Sequence, residues 1–277
     1  MPDLLVEDDH AVARDLASEA GKQLIELRRA AGARGGPELG FEGDRLSNRL
    51  ILELLSKARP EDPVLSEEGA APVSKEGATP SVSKEGAKPS VSKAGAASNW
   101  SGDRRLWIVD PLDGTREFSE GRDDFAVHVA LVTDAEATVG AVALPGEGLV
   151  FSTADPLCLP RRREGPIRIL VSRTRPPLEA TLVADDLGAE LMEMGSAGAK
   201  TMAVVRGLGD VYLHAGGQYE WDSAAPVAVA RAAGLHATRL DGSPIRYGNP
   251  GAWLPDLLIC RPEFTEAVSN ALAAIHR

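Results

Sequence analysis

The run WIVDPLDGTREF, residues 107–118, most narrows what this chain can fold into. Trp107, Ile108 and Val109 read as a buried strand, yet they lead straight into Asp110 and, three positions on, Asp113. An acidic side chain leaves water only where positive charge or several hydrogen bonds receive it. A fold that buries this strand must therefore bring positive charge or a set of hydrogen-bond donors to its end.

With 277 residues, 43% of them hydrophobic, the chain can bury a full core as one large domain or two intimate halves. No apolar run approaches the roughly 18 residues a membrane span needs. MPDLLVEDDH lacks the basic-then-apolar order of a secretory signal, so a cytoplasmic protein without membrane attachment is expected. Cys158 and Cys260 lack metal-type spacing and are expected to be buried, reduced thiols. A net charge of −11 opposes binding of nucleic acid polymers, which need basic surface to neutralise phosphates. An anionic substrate must then be drawn by something other than overall charge, and a bound metal would suffice.

Helical periodicity runs over residues 7–31, where Val12, Leu16, Ala20, Leu24 and Leu27 share a face, and again over 45–58. Between 73 and 95, VSKEGATPS, VSKEGAKPS and VSKAGA repeat with a period of nine. Each copy has one sizeable apolar residue, too little to offset the entropy of ordering, so a flexible insertion spanning 70–99 is expected. After it, LWIVD, FAVHVALVT, ATVGAVAL, GLVFST, IRILVS, DVYLHA and PDLLIC read as strands. Helical patterns lie around 177–187, 197–208, 222–234 and 263–276. FAVHVALVT through GLVFST has the look of an antiparallel meander. The fold class is α+β or mixed α/β in layers, organised as one unit with halves of about 1–160 and 161–277. Neither GxGxxG nor GxxxxGK[ST] is present, which argues against a Rossmann or P-loop nucleotide site.

Taken singly, the acids are ambiguous. Asp44 and Asp222 can each cap a helix, and Glu67 and Glu68 can sit in a solvated loop. As a set they form an oxygen-only donor group without a histidine or cysteine cluster, which selects a hard ion such as Mg²⁺ or Mn²⁺. The carbonyls of Pro111 and Leu112 can join them. Two or three ions held by shared carboxylates suit in-line attack on a phosphate. Gly114 and Thr115 would open a helix whose free N–H groups seat the phosphate. The aspartates are three apart, not two as in aspartyl-phosphate enzymes of the haloacid dehalogenase kind, so direct attack by a metal-activated water is favoured.

Asp44, Glu67–Glu68, DPLDGT at 110–115 and WDSAA at 221–225 occur in an order that resembles the lithium-sensitive, Mg²⁺-dependent phosphatases of the inositol monophosphatase superfamily. The resemblance implies a layered αβαβα sandwich that hydrolyses a small-molecule phosphate monoester. It also implies that Glu67, Asp110 and the Leu112 carbonyl hold one metal, and that Asp110, Asp113 and Asp222 hold a second. Glu67 would help with a more labile third. Thr115, hydrogen-bonded to Asp44, would orient and deprotonate the water. The family's loop before the Asp44 position often carries a Lys and an Asp, whereas here it reads RGGPELGFEGD.

Thr115-Arg116-Glu117-Phe118 is similar to the DGT-[KR]-E-F pattern of the 3′(2′),5′-bisphosphate nucleotidases rather than the DGT-T-N-F of inositol monophosphatases. ILVSRTRPP, with Ser172 and Arg173, and MGSAGAK, with Gly195, Ser196 and Lys200, are similar to further elements of that subfamily. Gln218 and Glu220 fall where the family contacts its leaving group. Arg116 can equally be a surface ion pair, Ser196 an ordinary cap and Lys200 a solvated charge. His128 reads as a packed strand residue and Arg161–Arg163 as a solvated loop. The implied reaction is hydrolysis of 3′-phosphoadenosine 5′-phosphate to AMP in sulfate assimilation. Inositol monophosphate and fructose 1,6-bisphosphate are alternative substrates. A non-catalytic descendant of the fold would have lost a metal ligand, and none is missing. The assembly, single chain or homodimer, is left open by the sequence.

Overall fold

A computed structural model describes residues 8–32, 35–69, 105–155 and 157–275. The nine-residue repeat lies outside the described residues. The first half runs α1 (Asp9–Ala31), α2 (Pro37–Ala58), β1 (Val64–Ser66), β2 (Leu106–Asp113), α3 (Thr115–Ser119), β3 (Ala126–Thr133), β4 (Glu136–Leu144) and β5 (Leu149–Ser152). The second runs β6 (Arg168–Ser172), α4 (Leu178–Leu187), β7 (Glu190–Met194), α5 (Ala197–Val205), β8 (Val211–Tyr219), α6 (Ala224–Ala232), β9 (His236–Thr238), β10 (Trp253–Cys260) and α7 (Thr265–Ile275).

Each half builds a five-stranded sheet, ordered β1-β2-β3-β4-β5 and β7-β6-β8-β10-β9. In the first, β1 and β2 are parallel, β3 to β5 form the expected antiparallel meander, and β2 extends it by pairing antiparallel with β3. Three apolar layers join the parts. Val12, Leu16 and Leu24 of α1, with Ile51 and Leu55 of α2, cover one face of the first sheet through Trp107, Val109 and Val129. Its other face meets α5 and α6, whose Met202, Val204, Val227 and Val229 also pack on Tyr212 and Leu257 of the second sheet. The far face of that sheet is closed by α4 and α7. The succession is αβαβα, as the family resemblance implied.

The main departure from the sequence reading is α2, which starts at Pro37 rather than near residue 45. Proline suits the first helical position because its missing N–H has no partner there anyway. Gly40 and Gly43 weaken the local helical signal, but α2 needs them to approach its neighbours. A Cβ on Gly40 would lie 2.8 Å from Thr115 Cγ2, and one on Gly43 3.0 Å from both Leu112 and Phe118. Asp44 is therefore a buried residue inside α2, not a cap at its start. The strands ELMEM and HAT are additional to those read from the sequence. Cys260 is buried but Cys158 is exposed, against the expectation of two buried thiols. Arg162 is not a solvated charge either: it lies 4.9 Å from the Phe264 ring and 3.4 Å from buried Asp210. Among the described residues, no helix is long and apolar enough to cross a membrane.

Gly43→Val inserts three carbons between Leu24, Leu112 and Phe118. The overpacking should cost about 1–3 kcal/mol, read as a lower denaturant midpoint at unchanged slope. An unchanged midpoint would contradict the close seating of α2.

Candidate active site

Side chains on a regular strand alternate between faces, so residues three apart point in opposite directions. β2 escapes this rule. Asp110 pairs with His128 and Asp113 with Ala126, so three steps on β2 oppose two on β3. The extra residue is a β-bulge around Pro111 and Leu112, and a bulge tolerates proline because its ladder is already interrupted. Ser47 of α2 pins the bulge by donating to the Pro111 carbonyl at 2.7 Å. Both aspartates thereby reach one side, and Asp222 joins them from the 3₁₀ turn Glu220–Asp222. One carboxylate oxygen from each of the three lies within 4.8 Å of the others.

β1 runs parallel to β2 with Ser66 beside Val109, so Glu67 emerges next to Asp110. Burial and the nearby charges of Asp222, Asp44, Glu68 and Asp113 push Glu67 up to about 8. Burial, with Glu67 and Asp113 as neighbours, holds Asp110 well above the ordinary carboxylate range. Burial and the Asp113 charge raise Asp222 to about 7. Asp113 differs: burial pushes it up, but His128, Lys200 and the Ser196 hydroxyl outweigh that and bring it below its ordinary value. The acids thus crowd together with too little positive charge from the chain itself. An all-oxygen, partly protonated cluster of this kind fits a hard divalent cation, whose binding would displace the protons.

Around the cluster the chain fixes each group. Gly114 adopts φ +89°, which its lack of a side chain permits, and a Cβ there would press within 3.3 Å of Phe125 and Ser196. The expected helix then opens at Thr115. Thr115 Oγ1 donates to the Leu112 carbonyl at 3.1 Å and lies 3.5 Å from Asp44 Oδ1. Ser196, at φ +47°, donates its hydroxyl to Asp113 while accepting from the Ala199 N–H. Gly198 N–H adds a second bond to Asp113 at 2.8 Å.

A cavity of about 440 Å³ opens beside these acids. Asp113, Gly114, Asp222, Ser172, Arg173, Gly195, Ser196, Lys200 and Gln218, all singled out in the sequence, line it. Arg173 is engaged there by Glu117 at 3.0 Å and by Asp124, which also accepts from Gly195 N–H. Lys200 is buried and donates to the Gly195 and Ser196 carbonyls at 3.1 and 2.6 Å. Burial lowers it to about 8.

Two candidates stand elsewhere. Arg116 is on the outer side of α3, 64% exposed and paired with Glu120 at 2.8 Å, and does not line the cavity. Glu220 is buried, and its carboxylate receives Gly248 N–H, Asn249 N–H and Asn249 Nδ2 at 2.7–2.8 Å. It anchors that loop beneath the site.

The sequence reading gave His128 no part in the site and did not single out Arg175. His128 is packed, as expected, but against the acids: Nδ1 bonds the Trp221 carbonyl at 3.0 Å and Nε2 lies 3.2 Å from Asp113. FAVHVALV pairs antiparallel with WIVD in the register that sets His128 opposite Asp110. Arg175 lines the cavity and, among the described residues, pairs with no carboxylate.

This fold and acid cluster define a class of metal-dependent phosphatase folds, and the comparisons agree. Residues 7–158 and 162–275 match the inositol monophosphatase family, and the chain belongs to that family. A Mycobacterium bovis protein named 3′-phosphoadenosine 5′-phosphate phosphatase is 44% identical over 264 residues, covering 92% of this chain and 90% of the relative. The 3′(2′),5′-bisphosphate nucleotidase CysQ of Escherichia coli is 28% identical over 214 residues, 74% of this chain and 77% of that one. The crystal structure of CysQ from Bacteroides thetaiotaomicron superposes with a TM-score of 0.71 at 25% identity, covering 94% of this chain and 99% of that one.

The raised acids set the sign of a pH effect. Glu67 at about 8 and Asp222 at about 7 stand above their ordinary values of 4.5 and 3.8. The metal-free folded state therefore holds protons that the unfolded chain releases, and it loses stability as pH rises through this window. Lys200, depressed to about 8 from 10.5, is charged in both states until pH approaches 8, so its contribution is constant below that. The metal-free melting temperature should fall between about pH 5 and 8, and Mg²⁺ should raise it more at pH 8 than at pH 5. A metal-free melting temperature that rises over the same range would contradict the crowding of these acids.

Proposed function

We propose that this chain is a divalent-metal-dependent phosphomonoesterase that hydrolyses 3′-phosphoadenosine 5′-phosphate to AMP and phosphate. Mg²⁺ is the working ion, with Mn²⁺ as a substitute, and the enzyme acts on a free small molecule in the cytoplasm during sulfate assimilation. One observation carries the reading: the Asp110–Asp113–Asp222 cluster opens onto a cavity that also holds Arg173, Arg175 and Lys200. The mycobacterial relative supports the choice of substrate, since its name carries that compound.

Asp110, Asp113, Asp222 and Glu67 would hold the ions, with the Leu112 carbonyl as a further oxygen. Bound there, the ions supply positive charge to the phosphate oxygens and ease ionisation of the attacking water. The chain's own part is positioning. Thr115 Oγ1 has both the Leu112 carbonyl and Asp44 Oδ1 within reach; with its proton turned from the carbonyl to Asp44, it would accept from the attacking water, taking the water's proton as its own passes to Asp44. Ser196, Gly198 and His128 keep Asp113 ionised and fixed at its ordinary place in the cluster. Beyond the metal cluster the cavity is lined by Arg173, Arg175 and Lys200, with Glu117 as the one further acid among the described residues.

The second phosphate needs a cation. Arg116 is outside the cavity, while Arg173 and Lys200 are already engaged by the chain. Arg175 fits best, as a cavity arginine with no carboxylate pair among the described residues. A charge-assisted contact there is worth about 1.5–3 kcal/mol, or about one to two decades in kcat/KM.

The test is phosphate release with Mg²⁺ from adenosine 3′,5′-bisphosphate, its sulfated form, inositol 1-phosphate and fructose 1,6-bisphosphate. The adenosine bisphosphate should lead. Arg175→Ala should reduce kcat/KM for it by about one to two decades and leave inositol 1-phosphate nearly unchanged, whereas Asp110→Asn should slow every substrate. A wild-type preference for inositol 1-phosphate would replace this reading with an inositol monophosphatase.

A further inference from the structure

The same cavity carries an aromatic corner, a pair of rings that metal and phosphate chemistry leave unused. Trp253, the first residue of β10, is 48% exposed and lines the cavity together with Tyr219. Both rings stand about half in water side by side, and tryptophan and tyrosine are enriched where proteins make contact with partners. The chain also builds the corner at some conformational cost. Leu254 pairs with Gln218 and Asp256 with Ala215, so β8 carries one extra residue at Gly216–Gly217. This second bulge has Gly217 at φ +91°, where a Cβ would overlap the Trp253 ring. His214 Nε2 meets the Gly217 carbonyl at 2.9 Å and holds the turn.

Tyr219 fixes the indole. It stacks on Trp221 at 4.5 Å between centroids and meets Trp253 edge-on at 5.3 Å. Its N–H donates to Asp222 Oδ2 at 2.7 Å. The corner is thereby tied to an acid of the candidate metal cluster.

We infer that Trp253, oriented by Tyr219, is the platform on which the substrate's nucleobase stacks, making it a specificity-determining residue for nucleotides over sugar phosphates. The inference rests on the bisphosphate-nucleotide reading above. A base has a π-face that an indole can cover whatever its hydrogen-bonding edge, and such stacking is sequence-tolerant. A polyol or sugar phosphate offers no such face. The corner therefore selects a purine or pyrimidine nucleotide by shape and leaves the hydrolytic step to the acids.

The experiment compares wild type, Trp253→Leu and Trp253→Phe. It measures hydrolysis of adenosine 3′,5′-bisphosphate and inositol 1-phosphate, and inhibition by AMP and by ribose 5-phosphate. Trp253→Leu should raise KM for the bisphosphate and Ki for AMP by on the order of tenfold, with kcat within about twofold. Inositol 1-phosphate turnover and ribose 5-phosphate inhibition should not move, which also reports an intact fold. Trp253→Phe should keep most of the AMP affinity. If Trp253→Leu leaves the ratio of AMP to ribose 5-phosphate inhibition at its wild-type value, the platform is overturned while bisphosphate hydrolysis by wild type stands. If wild type itself does not prefer the bisphosphate to inositol 1-phosphate, the functional reading falls and the platform falls with it.

Discussion

The bulge at Pro111–Leu112 gathers charge that the rest of the first half must accommodate. Without it Asp110 and Asp113 would face opposite sides of β2, one toward α2 and one toward α5. With it they share a site with Asp222. Several otherwise unrelated features follow from that constraint. α2 comes close enough through Gly40 and Gly43 for Ser47 to hold the Pro111 carbonyl. Gly114 turns the chain so that Thr115 begins α3 beside Asp44. The turn before α5 points Ser196 and Gly198 N–H at Asp113. The end of β2 and the 3₁₀ turn that follows β8 meet at this place, and each contributes acids to it.

The charges divide into two kinds. Asp113 has enough donors around it to stay ionised, whereas burial and crowding raise Glu67, Asp110 and Asp222. Unequal neighbours of this sort commonly mark a functional site, because a purely structural cluster gains nothing from unneutralised acids. The cationic side of the cavity shows the same economy. Arg173 braces Glu117 and Asp124, and Lys200 closes the carbonyl end of the Gly195–Ser196 turn.

Much of this was legible in the sequence, and the reasons differ by element. DPLDGT announced itself because charge at the end of an apolar strand has few physical explanations. The strands of the meander were legible as short apolar runs bounded by turn residues, and α1 from its apolar stripe. The start of α2 was not, because glycines that permit close packing look like breaks in a helix. Arg116 was misleading as a cavity residue since sequence adjacency to DPLDGT says nothing about which way a five-residue helix points it. Arg175, two residues beyond Arg173, was overlooked for want of any local pattern. The partnership of His128 with Asp113 required strand register, which periodicity alone does not supply.

The central claim is that these acids are built to exchange protons for divalent ions. Isothermal calorimetry of Mg²⁺ binding to metal-free protein at pH 7, run in two buffers of different ionisation enthalpy, measures that exchange directly. The heats should differ between the buffers and correspond to release of about one proton or more per chain, because ligands must deprotonate to bind. Saturable binding with identical heats in both buffers, or no binding at all, would contradict the claim.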